Sequence, residues 1–205
     1  MTHTAPAVET ASTVRTISIA DPGPLGLACF AMTTFVLSTF NAGLFPLALE
    51  PIVLPLALYY GGAAQVIAGV MEFFKNNTFG ALAFVSYGSF WLAFAYILSN
   101  PELLAAAPAA DRPKAIGLFL LGWTIFTAYM TFAVTKVNGI LLATFCFLLV
   151  AFITLTLGKF TGTAAWTTIG GYVGIATAFL AWYASAAGVT NSTFGRVVLP
   201  TWPRK

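Results

Sequence analysis

The stretch that decides the fold is PIVLPLALYYGGAAQVIAGVMEFF, residues 51–74, in which Glu72 is the only charged side chain. A run of about 20 apolar residues is long enough to cross the hydrocarbon core of a bilayer as a helix. Because that core offers no water to backbone N–H and C=O groups, a helix that satisfies them internally is the stable conformation there. The segment therefore predicts a membrane-spanning helix with one carboxylate near its end.

The whole chain has the same apolar character over 205 residues, of which 59% are hydrophobic and 7% are charged. Soluble domains carry about 25% charged residues, so this composition argues strongly against a water-soluble fold. We expect an all-α polytopic membrane protein, with one bundle of six transmembrane helices over residues 21–188. Residues 1–20 are expected to form a disordered cytoplasmic tail, and residues 189–205 a short cytoplasmic tail. The predicted helices cover residues 25–45, 51–74, 79–98, 115–134, 138–157 and 164–187.

Proline and glycine residues mark the ends of the first two predicted helices. Asp21 and Gly23 are each followed by a proline, so both are predicted N-caps of the first helix. Pro46 is predicted to end that helix, and Pro51 suits the first turn of the second. The two spans are thus expected to be joined by a short connection.

The basic residues outside the spans predict the orientation of the bundle. More of them lie on the side that holds both termini, and the more basic side of a membrane protein faces the cytoplasm. We therefore expect a multi-pass protein of the plasma (inner) membrane with both termini in the cytoplasm. The net charge of +3 forms no basic patch, so no nucleic-acid partner is expected. The predicted cytoplasmic side carries Arg15, Lys75, Lys136, Arg196, Arg204 and Lys205, and the opposite side carries Arg112, Lys114 and Lys159.

Two rows of polar residues run along the first two helices. The second helix carries Gln65, Gly69 and Glu72 at intervals of four and three residues, which places them on one face. The first helix carries a similar row, which consists of Phe30, Thr34, Ser38 and Asn41. Two polar seams in one bundle are expected to face each other or a shared aqueous path. An acid kept in an apolar helix is costly, and by default it marks a route for ions or protons.

Other interpretations of these rows stay open on the sequence alone. The hydroxyls of Thr34 and Ser38 either line a route or bond back to their own helix and serve packing. Glu72 is either a proton-coupling group or an interfacial acid that reaches the cytoplasmic side near Lys75. Glycines on the sixth helix are expected to pack against a neighbouring helix; these are Gly170, Gly171 and Gly174.

The side chains of the interior favour a small, weakly held substrate. None of the six predicted spans carries Arg, Lys or His in its central part. Hydroxyls, amides and helix N-termini suit a small monocarboxylate, which is held weakly or crosses as its neutral acid. The sequence contains no metalloprotease, Ser–His, metal-ligand or phosphate-loop motif, so we expect no enzyme, metal or cofactor. Cys29 and Cys146 both fall in apolar stretches and are expected to be buried.

Several motifs resemble those of the acetate uptake transporter family, the succinate–acetate/proton symporters. The first is DPGPLGL at residues 21–27, which resembles the family signature NPAPLGL. This entrance motif comprises Asp21, Pro22, Gly23, Pro24, Leu25, Gly26 and Leu27. The other similar segments are YYGGAAQ at 59–65, AG at 68–69 with Glu72, NTFG at 77–80, SYGSFW at 86–91, FGR at 194–196 and LP at 199–200. The resemblance therefore covers the chain from residue 21 to residue 200.

The resemblance implies six helices per protomer, assembly as a hexamer, and passage of acetate and related short carboxylates. It also implies a narrow constriction formed by a Phe, a Tyr and a Leu, which in this sequence are identified as Phe30, Tyr87 and Leu148. An apolar bottleneck of this kind penalises hydrated ions and passes small molecules that shed water readily. The Tyr87 hydroxyl is expected to bond a passing carboxylate.

The first motif position is Asp21 instead of Asn, and the third is Gly23 instead of Ala. Asp21 adds a negative charge beside an entrance for anions, which puts the substrate preference in question. Three functions remain for experiment to separate. The first is carriage of acetate-like monocarboxylates, with protons as the coupling ion and Glu72 as the titrating group. The second is a passive acetate channel, and the third is a membrane sensor or scaffold that transports nothing.

Overall fold

The computed structural model describes residues 19–204, and their regular structure is helical. Six helices are long and apolar enough to cross a membrane, which confirms the predicted all-α, six-span architecture. The expected disordered tail over residues 1–20 lies almost entirely outside the described residues, and the division of the chain into tail, bundle and tail stays a prediction. The helices are α1 (Gly23–Asn41), α2 (Leu47–Phe74), α3 (Thr78–Ser99), α4 (Arg112–Val134), α5 (Gly139–Thr161) and α6 (Ala164–Phe194).

The first helix differs from its prediction at both ends. Neither Asp21 nor Gly23 occupies the N-cap position, because the helix begins at Gly23 itself; Asp21 Oδ1 instead accepts a hydrogen bond from the Gly23 N–H at 3.1 Å. The C-terminal end comes before Pro46, at Asn41. Gly43 has a φ of +75°, and its N–H donates to the carbonyl of Phe40 at 2.9 Å. A left-handed glycine just after a helix satisfies the last carbonyls and turns the chain away.

The second helix begins earlier than predicted and changes its winding along its length. It starts as a 3-10 turn over Leu47–Ile52, so Pro51 lies inside this turn instead of opening an α-helix. A π-helical segment over Leu56–Ala64 follows, and regular α-helix resumes from Gln65 to Phe74. The sixth helix also exceeds its prediction, since it continues about two turns beyond residue 187 to Phe194.

The helices form a closed arrangement in which α1 packs between α2 and α6, α5 packs between α4 and α6, and α2 packs on α3. The contact of α1 with α6 is close enough to require glycine. A Cβ at Gly171 would collide with the backbone nitrogen of Ala42, and one at Gly174 would collide with Ser38 Oγ. Small residues let helix backbones approach in this way in membrane proteins, as the sequence predicted for this face.

The outer surface of the bundle is apolar. Large side chains such as Phe132, which is 82% exposed, and Ile67 point away from the interior. Such a surface is suited to contact with lipid tails. Cys29 is buried as expected, but Cys146 lies on the outer surface of α5, which corrects the expectation that both thiols are buried. An apolar segment alone does not reveal which of its faces points inward.

The C-terminal segment after α6 folds back along one end of the bundle. Gly139 N–H donates to the Trp202 carbonyl at 2.8 Å, and Arg204 N–H donates to the Val137 carbonyl at 3.2 Å. These bonds tie the segment to the turn between α4 and α5. The start of α1 and the turn between α2 and α3 lie at the same end, where Lys75 Nζ is 3.3 Å from Asp21 Oδ1.

Candidate functional site

Two cavities lie inside the bundle, and three residues line both of them. The larger has a volume of about 310 Å³ and the smaller about 50 Å³. The residues common to both linings are Phe30, Tyr87 and Leu148. The three side chains that the family resemblance selected from different helices are therefore brought together, although their role as a constriction stays a prediction.

The order of the lining residues along each helix places these three between the cavities. On α1, Leu27 lines the large cavity and Thr34 the small one. On α3 the large cavity is lined before Tyr87, and the small one by Phe90 and Trp91 after it. On α5 the residues before Leu148 line the large cavity, and the residues after it line the small one. Because α1, α3 and α5 run in the same direction, the two cavities succeed each other along the bundle.

Tyr87 is held in this position by aromatic neighbours and one hydrogen bond. Its ring is stacked at 14° on Phe152, with centroids 6.5 Å apart, and lies 5.8 Å from the ring of Phe30. Its hydroxyl oxygen lies 2.9 Å from Thr127 Oγ1 on α4. The expected bond from this hydroxyl to a passing carboxylate stays a prediction. The Tyr87 proton is available to a carboxylate only when Thr127 acts as the donor of this pair.

The polar end of the large cavity is built around Glu72. This side chain is only 2% exposed and lines the cavity, so it does not reach out to the interface as the alternative interpretation supposed. Glu72 Oε2 accepts a hydrogen bond from Asn77 Nδ2 at 2.8 Å. The side-chain oxygen Asn77 Oδ1 in turn accepts from the Gly80 N–H at 3.0 Å, which caps α3. Because its oxygen is used as the cap, Asn77 is oriented with its NH₂ group toward the carboxylate.

Gln65 lies deeper in the same cavity. It is completely buried, and neither its amide nitrogen nor its amide oxygen has a hydrogen-bond partner among the described residues. A buried polar group without a partner is costly, so this amide is suited to a ligand or to water in the cavity. Gly69, from the same predicted row, lines neither cavity. A Cβ there would meet the backbone of Val85, so Gly69 packs α2 on α3, which corrects its expected place in a polar seam.

The entrance motif divides between lining and packing. Its members on the large cavity are Asp21, Gly23, Pro24 and Leu27. The other three do not line it: Leu25 is largely exposed, Pro22 precedes the helix, and Gly26 packs against the ring of Phe84. Four of the seven motif positions therefore line the large cavity, and the entrance role of the motif stays a prediction.

The small cavity receives the polar row of α1, with Thr34, Ser38 and Asn41 in its lining. Thr34 Oγ1 is buried without a hydrogen-bond partner among the described residues, and so is Trp91 Nε1. The two polar rows thus line successive cavities and do not face each other along their length. Phe30 is the member of the first row that reaches both cavities.

Sequence reasoning missed Thr127 and Asn77 as partners of the site. A signal for the first exists, because Thr124, Thr127 and Thr131 fall at intervals of three and four residues on one face of α4. That face turns toward α5, where Thr124 Oγ1 lies 3.1 Å from Thr156 Oγ1. Asn77 appeared only as the first residue of the NTFG segment, and nothing in the spacing indicates that it also binds Glu72.

Comparisons with known proteins show which chains this one is similar to. The chain is 43% identical to the succinate-acetate/proton symporter SatP of Escherichia coli strain K12, over 89% of this chain and 95% of that protein. It is 38% identical to acetate permease A of Emericella nidulans, over 91% of this chain and 67% of that protein. The solved structure of the bacterial acetate channel SatP superposes with a TM-score of 0.82 at 41% identity, over 90% of this chain and 99% of that one.

The family expected from the sequence motifs is confirmed by these matches. The model of the GPR1/FUN34/yaaH family matches residues 4–204, which is nearly the whole length. Motif order, helix number and overall fold agree along the chain, so the match is not limited to one segment. This chain belongs to the GPR1/FUN34/yaaH family.

Proposed function

We propose that this protein transports acetate and related short-chain monocarboxylates across a membrane, and that it is not an enzyme. The observation that carries the proposal is the sharing of Phe30, Tyr87 and Leu148 by two cavities that follow one another through the bundle. Three relatives or structural neighbours named for acetate transport support the choice of substrate.

The chemistry of the two linings supports a small weak acid as the transported species. Beyond Asp21 and Glu72 at one end, the described lining residues of both cavities are uncharged. The apolar narrowing between the cavities favours molecules that lose their hydration at low cost. Acetate in its neutral form meets this condition, whereas a polyanion does not. Gln65 and Thr34 offer neutral hydrogen-bonding groups on either side of the narrowing.

Proton coupling through Glu72 is part of the same proposal. A carboxylate that is buried at the polar end of the large cavity, with one neutral donor on Oε2, is suited to take up and release a proton. Proteoliposomes are expected to take up labelled acetate faster when the external medium is acidic. Glu72→Gln is expected to abolish this acceleration, whereas Glu102→Gln, in the exposed turn Pro101–Leu104, is expected to retain it. Uptake no greater than that of empty vesicles would contradict transport itself.

A passive channel is the second candidate, and the named acetate channel among solved structures favours it. The two mechanisms differ in rate and in the energy that they use. Planar-bilayer recordings with conductance steps far above carrier turnover would support a channel. Concentrative uptake driven by a proton gradient, with no such steps, would support coupling.

We further propose a homo-hexamer in the plasma (inner) membrane with both termini in the cytoplasm. The apolar outer faces of the bundle support assembly, and the excess of basic residues at the end with the termini supports the orientation. Native mass measurement in mild detergent tests the hexamer, and a monomer alone would contradict it. Labelling of a cysteine placed in the C-terminal segment from one side of sealed cells tests the orientation.

A further inference from the structure

An ion pair between Asp21 and Lys75 lies beside Glu72 at the polar end of the large cavity. We infer that the Asp21–Lys75 pair withholds Lys75 from Glu72, and thereby sets the pH at which Glu72 exchanges protons with the cavity. This inference rests on the proposed role of Glu72 in proton coupling. It assigns to Asp21, the acidic departure from the Asn of the family signature, a positioning role that acts through Lys75.

Lys75 is close to Glu72 in sequence, but in the structure its ammonium group pairs with a different carboxylate. Lys75 is the C-cap residue just after α2 and follows Glu72 by three residues, a spacing at which side chains at a helix end are neighbours. Its ammonium nevertheless lies 3.3 Å from Asp21 Oδ1. Asp21 is itself fixed, because the same oxygen accepts the Gly23 N–H at 3.1 Å. The cation closest to Glu72 in sequence is therefore bound by another acid.

Glu72 is left with a neutral partner as a result. Asn77 Nδ2 donates to Oε2 at 2.8 Å, and the cap bond to Gly80 prevents the amide from turning over. Oε1 lies beside Gly23, where a Cβ would stand 3.5 Å from it and 3.3 Å from Asp21 Oδ1. The two carboxylates are thus close neighbours across Gly23, and Lys75 offsets the charge of one of them.

The elements around Glu72 bring few other charges. Asp21, Glu72 and Tyr87 are the titratable groups among the described residues of the cavity lining, and Tyr87 lies at the far end. α3, α5 and α6 contribute uncharged side chains to this lining. Lys136 and Arg204 lie near the α4–α5 turn at the same end of the bundle, but they do not line the cavity. Asp21 lines the cavity beside Glu72, and Lys75 pairs with Asp21, so these two charges distinguish the surroundings of Glu72.

The charges predict opposite effects for two single variants. Asp21→Asn frees Lys75, so Glu72 becomes the carboxylate available to it, and a nearby cation favours the charged form of an acid. More acid is then needed to protonate Glu72. Lys75→Met leaves the negative charge of Asp21 without its partner, and a like charge favours the neutral form. The double variant removes both charges and is expected to return close to wild type.

The test measures the protonation of Glu72 directly in the full-length protein. Purified protein in lipid vesicles is titrated with infrared detection, and the carboxylic-acid band that disappears in Glu72→Gln is followed. The pH at half intensity is expected to fall by about one unit in Asp21→Asn, to rise in Lys75→Met, and to recover in the double variant. Asp111→Asn is the matched control, because Asp111 pairs with Lys114 at 2.7 Å at the opposite end of the bundle.

Each outcome bears on one claim. An unchanged half-intensity pH in Asp21→Asn, a shift that persists in the double variant, or the absence of a titrating Glu72 band would overturn the inference. If the band shifts as expected but the pH profile of acetate uptake does not follow it, the ion-pair inference stands and coupling through Glu72 fails. If the band shifts in a protein that takes up no acetate, the transport proposal alone fails.

Discussion

The rings of Phe30 on α1 and Tyr87 on α3 lie with centroids 5.8 Å apart and planes inclined at 53°, at the boundary between the two cavities. Both side chains are almost fully buried. Each ring contacts neighbouring helices and also lines both cavities. Together with Leu148, these two residues are the ones among the described residues that line both cavities.

Phe30→Ala is expected to widen this boundary and weaken the discrimination between carboxylates. Removal of the ring joins the two cavities, so the uptake of butyrate relative to acetate should rise by about tenfold, which corresponds to about 1.4 kcal/mol. Competition of labelled acetate uptake by a series of longer carboxylates measures the change. Phe132→Ala, at an exposed position on α4, is the control and should leave selectivity unchanged. An unaltered selectivity series in Phe30→Ala would remove Phe30 from the constriction.

Tyr87→Phe is expected to destabilise the protein by about 1–3 kcal/mol, because it leaves the buried Thr127 hydroxyl without its partner. Tyr87→Phe combined with Thr127→Val should cost less than the single change, since both polar partners are then replaced by apolar groups of similar shape. Thermal unfolding in detergent of the two single variants and the double variant measures the coupling. Strictly additive effects would contradict a hydrogen bond that matters for stability.

Thr34→Val separates the two interpretations of the α1 hydroxyls. The Thr34 hydroxyl has no partner in the described structure, so its replacement by a methyl group should leave stability unchanged or raise it. If the hydroxyl lines the route, acetate uptake should fall several-fold. Thr177→Val is matched to it, because Thr177 is buried, donates to the Val173 carbonyl and lines neither cavity. Normal uptake by Thr34→Val would assign this residue to packing.

Gly171→Ala is expected to disrupt the contact of α1 with α6. The added methyl group would collide with backbone atoms of Ala42, which cannot move aside as a flexible side chain does. Destabilisation of at least about 1–3 kcal/mol should follow, measured as loss of monodisperse protein on heating. Gly122→Ala, where nothing lies within 4 Å of the added Cβ, should be neutral or stabilising by up to about 1 kcal/mol. Equal behaviour of the two variants would refute the close contact.

The positions of the polar rows illustrate the limit of helical periodicity. The helical spacing correctly placed Gln65 and Glu72 on one cavity lining, and Thr34, Ser38 and Asn41 on another. Residues on one face of a helix point toward the same neighbouring space. The spacing failed for Gly69, which has the same phase but meets the backbone of α3. One face of a helix can contact both a cavity and a neighbouring helix. The helical repeat of the sequence does not show which residues of that face line the cavity and which pack against the helix.

The sequence by itself determined that the chain crosses a membrane six times, because uninterrupted apolar stretches of sufficient length have no other stable conformation in a bilayer. Its ordered motifs also determined the family. Only the tertiary structure decided which polar groups meet: that Glu72 binds Asn77 and not Lys75, and that Tyr87 binds Thr127. The Tyr87–Thr127 pairing depends on the distance between α3 and α4, and the Glu72–Asn77 pairing depends on the turn between α2 and α3; helical spacing specifies neither partner.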